Sequence, residues 1–180
     1  FRDKFSVWLR NYIVNFNILD CLARRKTLDY IGVNYYSRNL VHTESWGLKE
    51  ILIKTCRHKD DNLVKNILGW EVYPQGIFDI LMALKRFRLP IFVLENGICT
   101  QDDNLRWEFI RGHLQKIHEA IESGAQVIGY THWSLMDNFE WDKGFEPRFG
   151  LVSVDYSTGK REIRPSARNY AAVCSDNRLL

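Results

Sequence analysis

A chain of 180 residues, 46% hydrophobic and 26% charged with 4 Pro and 11 Gly, has the composition of a folded domain. That composition excludes disordered, collagen-like and low-complexity classes. The net charge of +3 (25 Lys and Arg against 22 Asp and Glu) gives no electrostatic basis for nucleic-acid binding. No apolar run approaches the ~20 residues of a membrane span. Cys21, Cys56, Cys99 and Cys174 have neither zinc nor disulfide-framework spacing. They read as reduced thiols, so a cytoplasmic protein is expected. The chain starts Phe1-Arg2-Asp3, without an initiator Met or a signal peptide, which suggests a fragment, a processed product or a trimmed chain.

Phe5, Trp8, Leu9, Tyr12, Phe16, Leu19 and Leu22 recur three or four apart and predict a helix over 5–23. Arg24, Arg25 and Lys26 follow, where positive charge favours a helix end. Residues 30–36 read as a short buried strand. From Ser37 to Trp70 the chain is polar and lacks a period, the length of a functional loop. Helix period returns over 74–87, with Ile77, Ile80, Leu81, Leu84 and Phe87 on one face, and Pro90 stops it. Ile91 to Leu94 is a second buried strand. Asp103 is the expected N-terminal cap of the next helix, whose stripe is Leu105, Phe109, Ile110, Leu114, Ile117 and Ile121, and Gly124 ends it. Residues 126–133 form a third strand. A long loop, the stretch 150–155, a turn at Ser157-Thr158-Gly159 and a helix near 166–174 complete the chain. Strands alternating with helices predict a parallel sheet with crossover helices. No repeat or linker divides the chain, so residues 1–180 are expected to form a single unit.

In parallel α/β folds, functional groups gather at the carboxyl ends of strands. The first strand ends in Asn34, Tyr35 and Tyr36, the second in Glu95, Asn96 and Gly97, and the third in His132 and Trp133. Glu95 follows four strongly apolar residues, and a carboxylate emerging from a buried strand costs free energy unless it is hydrogen-bonded or used. By itself it fits a structural glutamate in a polar turn as well as a catalytic one. His113 and His118 are five apart, which is not ligand spacing, and His132 reads as supporting rather than catalytic. With no GxGxxG, no P-loop and no metal cluster, neither cofactor nor metal is expected.

Residues 91–99 (IFVLENGIC) closely resemble the nucleophile signature of family 1 glycoside hydrolases, the β-glucosidase family. Residues 29–36 (DYIGVNYY) resemble that family's sixth barrel strand, and 69–76 (GWEVYPQG) its lead into the following helix. Residues 133–141 (WSLMDNFEW) and 148–151 (RFGL) are similar to its sugar-binding end, and 164–167 (RPSA) to its final helix. Leu94 stands where many members have Thr.

The resemblance implies an α/β fold: a partial (β/α)8 TIM barrel of about three C-terminal strand–helix units, strands 6–8, plus a preceding helix. An eight-stranded barrel typically needs about 250 residues, so 180 mark it as incomplete. It also implies a retaining β-glycosidase with Glu95 as nucleophile and Tyr36 as its hydrogen-bonding partner. Glu140 would accept bonds from sugar hydroxyls, Trp141 would donate to one, Trp133 and Phe149 would wall the pocket, and Asn34 would reach the sugar or support Tyr36. Tyr36, Trp133 and Phe149 also fit plain core roles, and Glu140 a solvated loop carboxylate. A carboxylate at Glu140 disfavours phosphorylated sugars. The family's acid/base glutamate lies in an Asn-Glu-Pro motif on strand 4, and Asn-Glu-Pro does not occur in these 180 residues. The isolated chain is therefore expected to be inactive. Its partners would be a small sugar or β-glycoside and either the missing N-terminal barrel half or another copy, with no nucleic acid or membrane. The alternative is a non-catalytic half-barrel that binds sugar or a partner.

Overall fold

The computed structural model describes residues 1–49 and 63–179. Cys56 and the middle of the polar stretch from Ser37 to Trp70 lie outside the described residues. The chain divides into two compact units, Phe1–Asp29 with Arg38–Leu63 and Tyr30–Ser37 with Val64–Leu180.

The first unit contains α1 (Arg2–Asn11) and α2 (Asn17–Arg24), joined by a single wide turn over Tyr12–Phe16. The period of the sequence predicts one helix here. The wide turn interrupts it at adjacent β-branched Ile13 and Val14, whose side chains crowd a regular helix. Asp3 accepts the Thr43 amide at 2.6 Å, and the Phe1 and Phe5 rings pack near Trp46.

The second unit is built on a parallel three-stranded sheet, β1 (Ile31–Asn34), β2 (Ile91–Asn96) and β3 (Val127–His132), in the order β1-β2-β3. Helix α3 (Gln75–Leu84) follows β1, and α4 (Asp103–Glu122) connects β2 to β3. The helices cover one face of the sheet, and along β1 burial alternates, with Gly32 and Asn34 exposed. Ile31, Val33, Ile91 and Val93 are buried with Ile77, Leu81, Phe109, Ile110 and Ile117 of the helices. After β3 comes an antiparallel hairpin, β4 (Val152–Val154) with β5 (Arg161–Ile163), and then α5 (Pro165–Asp176), which packs on α4. Among the described residues no helix is long and apolar enough to cross a membrane.

One capping expectation is corrected. Asp102, not Asp103, caps α4, accepting the amides of Asn104 and Leu105 at 2.9 and 3.3 Å from an extended backbone. Asp103 is already helical and its carboxylate turns elsewhere. It accepts the amide and hydroxyl of Ser166, at the start of α5, and pairs at 2.7 Å with Arg106, which is fully buried.

Candidate active site

The site gathers where β1, β2 and β3 end. Pairing places Val33 opposite Val93 but Asn34 opposite Glu95, so β2 carries one extra residue at Leu94. The same bulge shows against β3, where Tyr130 faces Val93 and His132 faces Asn96. A bulge re-aims the residues beyond it. Here it exposes Leu94, leaves Glu95 half-buried and sends Asn96 fully into the interior. Beyond the bulge the next turn is tight, because a Cβ on Gly97 would fall 1.8 Å from the carbonyl oxygen of Trp133.

Glu95 accepts a hydrogen bond at Oε2 from the Tyr36 hydroxyl at 2.7 Å. The backbone sets the pair, since the Tyr35 amide donates to the Glu95 carbonyl at 2.9 Å. Burial, the bond to Glu95 and the charges of Glu95 and Glu140 all hold the Tyr36 phenol far above its ordinary value. Tyr36 therefore keeps its proton and donates it to the Glu95 carboxylate.

Around this pair are aromatic rings. Phe149 is buried and meets Tyr36 edge-on with centroids 6.2 Å apart. Trp70 meets Tyr36 edge-on at 5.8 Å and lies 6.4 Å from Phe149. Trp70 sits in the stretch quoted for its resemblance, yet nothing in its own spacing marks it as a neighbour of Tyr36, because the chain between them is polar and aperiodic. Trp133 joins the site through its main chain, donating to the Asn96 carbonyl at 3.0 Å.

The loop after β3 is fixed by Asp137. Its carboxylate is buried and receives both Arg164 guanidinium nitrogens at 3.0 and 3.2 Å, the Gly150 amide at 2.9 Å and the Val154 amide at 3.3 Å. That clamp, with Arg106 donating to the carbonyls of Thr100 and Arg148, fixes the backbone on either side of Phe149. Glu140 is half-buried, and its amide and carbonyl close a tight turn with Gly144 and Lys143. Trp141 is 80% exposed, and Asn34 is exposed as well. The structure thus sets Tyr36 against Glu95 and Phe149, keeps Trp133 and Glu140 close by, and leaves Asn34 and Trp141 exposed. His132 is neutral, because burial and the charge of Arg106 push its pKa down to about 3. Among the described residues no group of three or more His, Cys, Asp or Glu side chains is arranged to hold a metal ion.

A carboxylate held by a phenol at neighbouring strand tips, beside aromatic side chains, places a site at the carboxyl end of a parallel β/α sheet. The sequence profile of glycosyl hydrolase family 1 matches residues 10–179, and the chain belongs to that family. A β-galactosidase of Sulfolobus acidocaldarius is 40% identical over 159 residues, covering 85% of this chain and 32% of its own length. A β-glycosidase from Pyrococcus horikoshii superposes with a TM-score of 0.90 at 38% identity, over 99% of this chain and 45% of that one. The β-glucosidase from Thermotoga maritima in complex with azafagomine superposes at 0.78 with 34% identity, over 85% and 36% respectively. The chain spans about a third of the length of the curated relatives it matches. Its fold is a portion of their TIM barrel.

Proposed function

We propose that this chain supplies the nucleophile and the sugar-facing portion of a retaining β-glycosidase acting on unphosphorylated β-glycosides. The observation that carries this reading is the 2.7 Å bond from Tyr36 to Glu95 at adjacent strand tips. With Oε2 taken by the phenol, Oε1 is the oxygen left to attack. Glu95 forms an ester to the anomeric carbon as the bond to the leaving-group oxygen breaks. Water then hydrolyses that ester, and two inversions give net retention. A hydrogen bond to a carboxylate contributes about 1.5–3 kcal/mol, enough to hold Glu95 aimed. Trp133 and Phe149 would wall the sugar, Glu140 and Trp141 would bond its hydroxyls, and Asn34 would reach it or support Tyr36. Complexes of the Thermotoga maritima β-glucosidase with azafagomine and glucoimidazole fit a site of this kind.

The retaining reaction needs a second carboxyl group ≈ 5–5.5 Å from the first. Asp137 is consumed by Arg164, Glu140 is assigned to the sugar, and Glu71 lies ahead of α3, so the acid is assigned to barrel units beyond these 180 residues. The test is a dinitrophenyl 2-deoxy-2-fluoro-β-glucoside, whose leaving group departs without an acid. On the chain co-expressed with the first five strand–helix units of a family member, the label is expected on Glu95 and absent in Glu95→Gln. A label on another residue overturns the assignment. The 180-residue chain alone should release no nitrophenol from a nitrophenyl β-glucoside, and robust turnover would refute its dependence on the other units.

A further inference from the structure

The three strand tips that carry Tyr36, Glu95 and Trp133 meet at one residue, Asn96, which has no exposed surface. Its side-chain amide donates to the Tyr35 carbonyl at 2.7 Å, and its Oδ1 accepts from the Tyr130 hydroxyl at 3.0 Å. Its main-chain carbonyl accepts from the Trp133 amide at 3.0 Å. The orientation of this amide is forced. A carbonyl can only accept, so the NH2 must face Tyr35, and Oδ1 is left for a donor. Tyr130 is that donor, and burial holds its phenol well above the ordinary value, so it keeps its proton. The Tyr130 ring packs against α5. Tyr170 meets it edge-on at 5.9 Å and donates to its main-chain carbonyl at 3.3 Å. Tyr36 is thus one peptide bond from a partner of Asn96, Trp133 is itself a partner, and Glu95 is bonded directly to Asn96 along the chain.

We propose that Tyr130 and Asn96 act as a positioning couple for Glu95, holding the β1 and β2 tips in the register that lets Tyr36 reach the carboxylate. This rests on the reading of Glu95 as nucleophile. Neither residue of the couple is assigned a contact with the sugar. Without the Tyr130 hydroxyl, Asn96 Oδ1 is a buried acceptor with no donor, and buried amides in that state reorient or loosen. The Tyr35 carbonyl then loses its partner, one residue from Tyr36.

The test uses proton NMR of the 180-residue chain. The Tyr36 hydroxyl proton, held against a carboxylate, is expected as a slowly exchanging downfield resonance that vanishes in Tyr36→Phe. Tyr130→Phe keeps the ring and its packing, and should speed exchange of that proton about tenfold, the loss expected for one buried hydrogen bond. Asn96→Asp, which removes the donor to Tyr35, should do the same. Tyr170→Phe removes a hydroxyl from the same cluster without touching Asn96 and should leave exchange unchanged. Unchanged exchange in Tyr130→Phe, equal acceleration in Tyr170→Phe, or no Tyr36 resonance in the parent chain each overturns the couple. Labelling by the fluoroglucoside separates the two claims. If Glu95 labels in Tyr130→Phe at the parent rate, the couple falls and the nucleophile stands. A Glu95 that never labels takes both down.

Discussion

His113 lies on α4 with no exposed surface, its ring stacked on Phe109 at 3.9 Å and tilted against Tyr35 at 5.8 Å. The Phe109 carbonyl can only accept, so Nδ1, at 2.7 Å, carries the proton of the neutral ring. Nε2 is buried and has no partner among the described residues. A second proton would go to Nε2 and put a charge there unpaired. Burial accordingly lowers the pKa from 6.5 to about 4, against a smaller opposing effect of the Phe109 bond. The sign follows from linkage: below pH 6.5 the unfolded chain binds a proton at this site that the folded chain refuses until about pH 4. Stability from His113 is complete above about 6.5, falls as the pH drops from there to about 4, and is then level. The whole interval corresponds to about 3 kcal/mol, and the part between pH 7 and pH 5 to about 2 kcal/mol. His132 acts in the same direction, with its pKa near 3, so the parent slope exceeds that of His113 alone. Urea unfolding at pH 7 and pH 5 reads the difference between the parent and His113→Leu. The parent should lose about 2 kcal/mol more than the variant over that interval, whatever the variant costs at pH 7. Equal losses, or an NMR titration of His113 centred near 6.5, would refute the reasoning.

Three further outcomes are expected. Asp137→Asn leaves Arg164, only 15% exposed, without its charge partner and should cost about 3–5 kcal/mol in thermal or urea unfolding; a loss under about 1 kcal/mol would show the clamp to be dispensable. Gly97→Ala forces a methyl to within 1.8 Å of the Trp133 carbonyl, so the chain should lose its cooperative melt; a parent-like Tm would contradict the close approach. Tyr36→Phe keeps the ring between Trp70 and Phe149 and removes only the hydroxyl. In the assembled barrel it should lower kcat/KM by roughly 10- to 150-fold, the equivalent of about 1.5–3 kcal/mol, and an unchanged kcat/KM would remove Tyr36 from the proposed mechanism.

The regular elements of the sheet unit were legible because burial writes its own period. Ile77, Leu81 and Leu84 mark α3, and Phe109, Ile110 and Ile117 mark α4, as the three-to-four spacing predicts. That Glu95 needs a partner was legible, because a carboxylate directly after an apolar run is costly unless hydrogen-bonded or used, and Tyr36 is that partner. What escaped is what depends on pairing rather than on chain order. Counting by twos along β2 cannot show the extra residue at Leu94, since a bulge exists only relative to the strands beside it. The exchange of capping between Asp102 and Asp103 turns on Ser166, 63 residues away, which claims the Asp103 carboxylate. Trp70 escaped for the same reason: its contact with Tyr36 bridges a segment without a period. The break in the first helix was missed because a wide turn shifts the phase by one residue, and apolar residues three or four apart tolerate that shift.

The hydrogen bonds that aim Glu95 run among Tyr35, Tyr36, Asn96, Tyr130 and Trp133, all within the unit of Tyr30–Ser37 and Val64–Leu180. These hydrogen bonds need no strand from outside that unit. The proposed acid is different. Neighbouring strands lie about 4.8 Å apart, so a carboxyl group 5–5.5 Å away must come from a tip or loop near the same mouth. The tips present here carry Asn34, Tyr36 and Trp133 besides Glu95, and β1 and β3 are the outer strands of the sheet. On the proposed mechanism, further barrel strands would join at those outer edges and bring the acid to Glu95. Adding the first five strand–helix units should then switch hydrolysis on while leaving the Tyr36 hydroxyl proton exchanging at its former rate. A change in that rate of tenfold or more on assembly would mean that the aim of Glu95 is made by the whole barrel and not by Asn96.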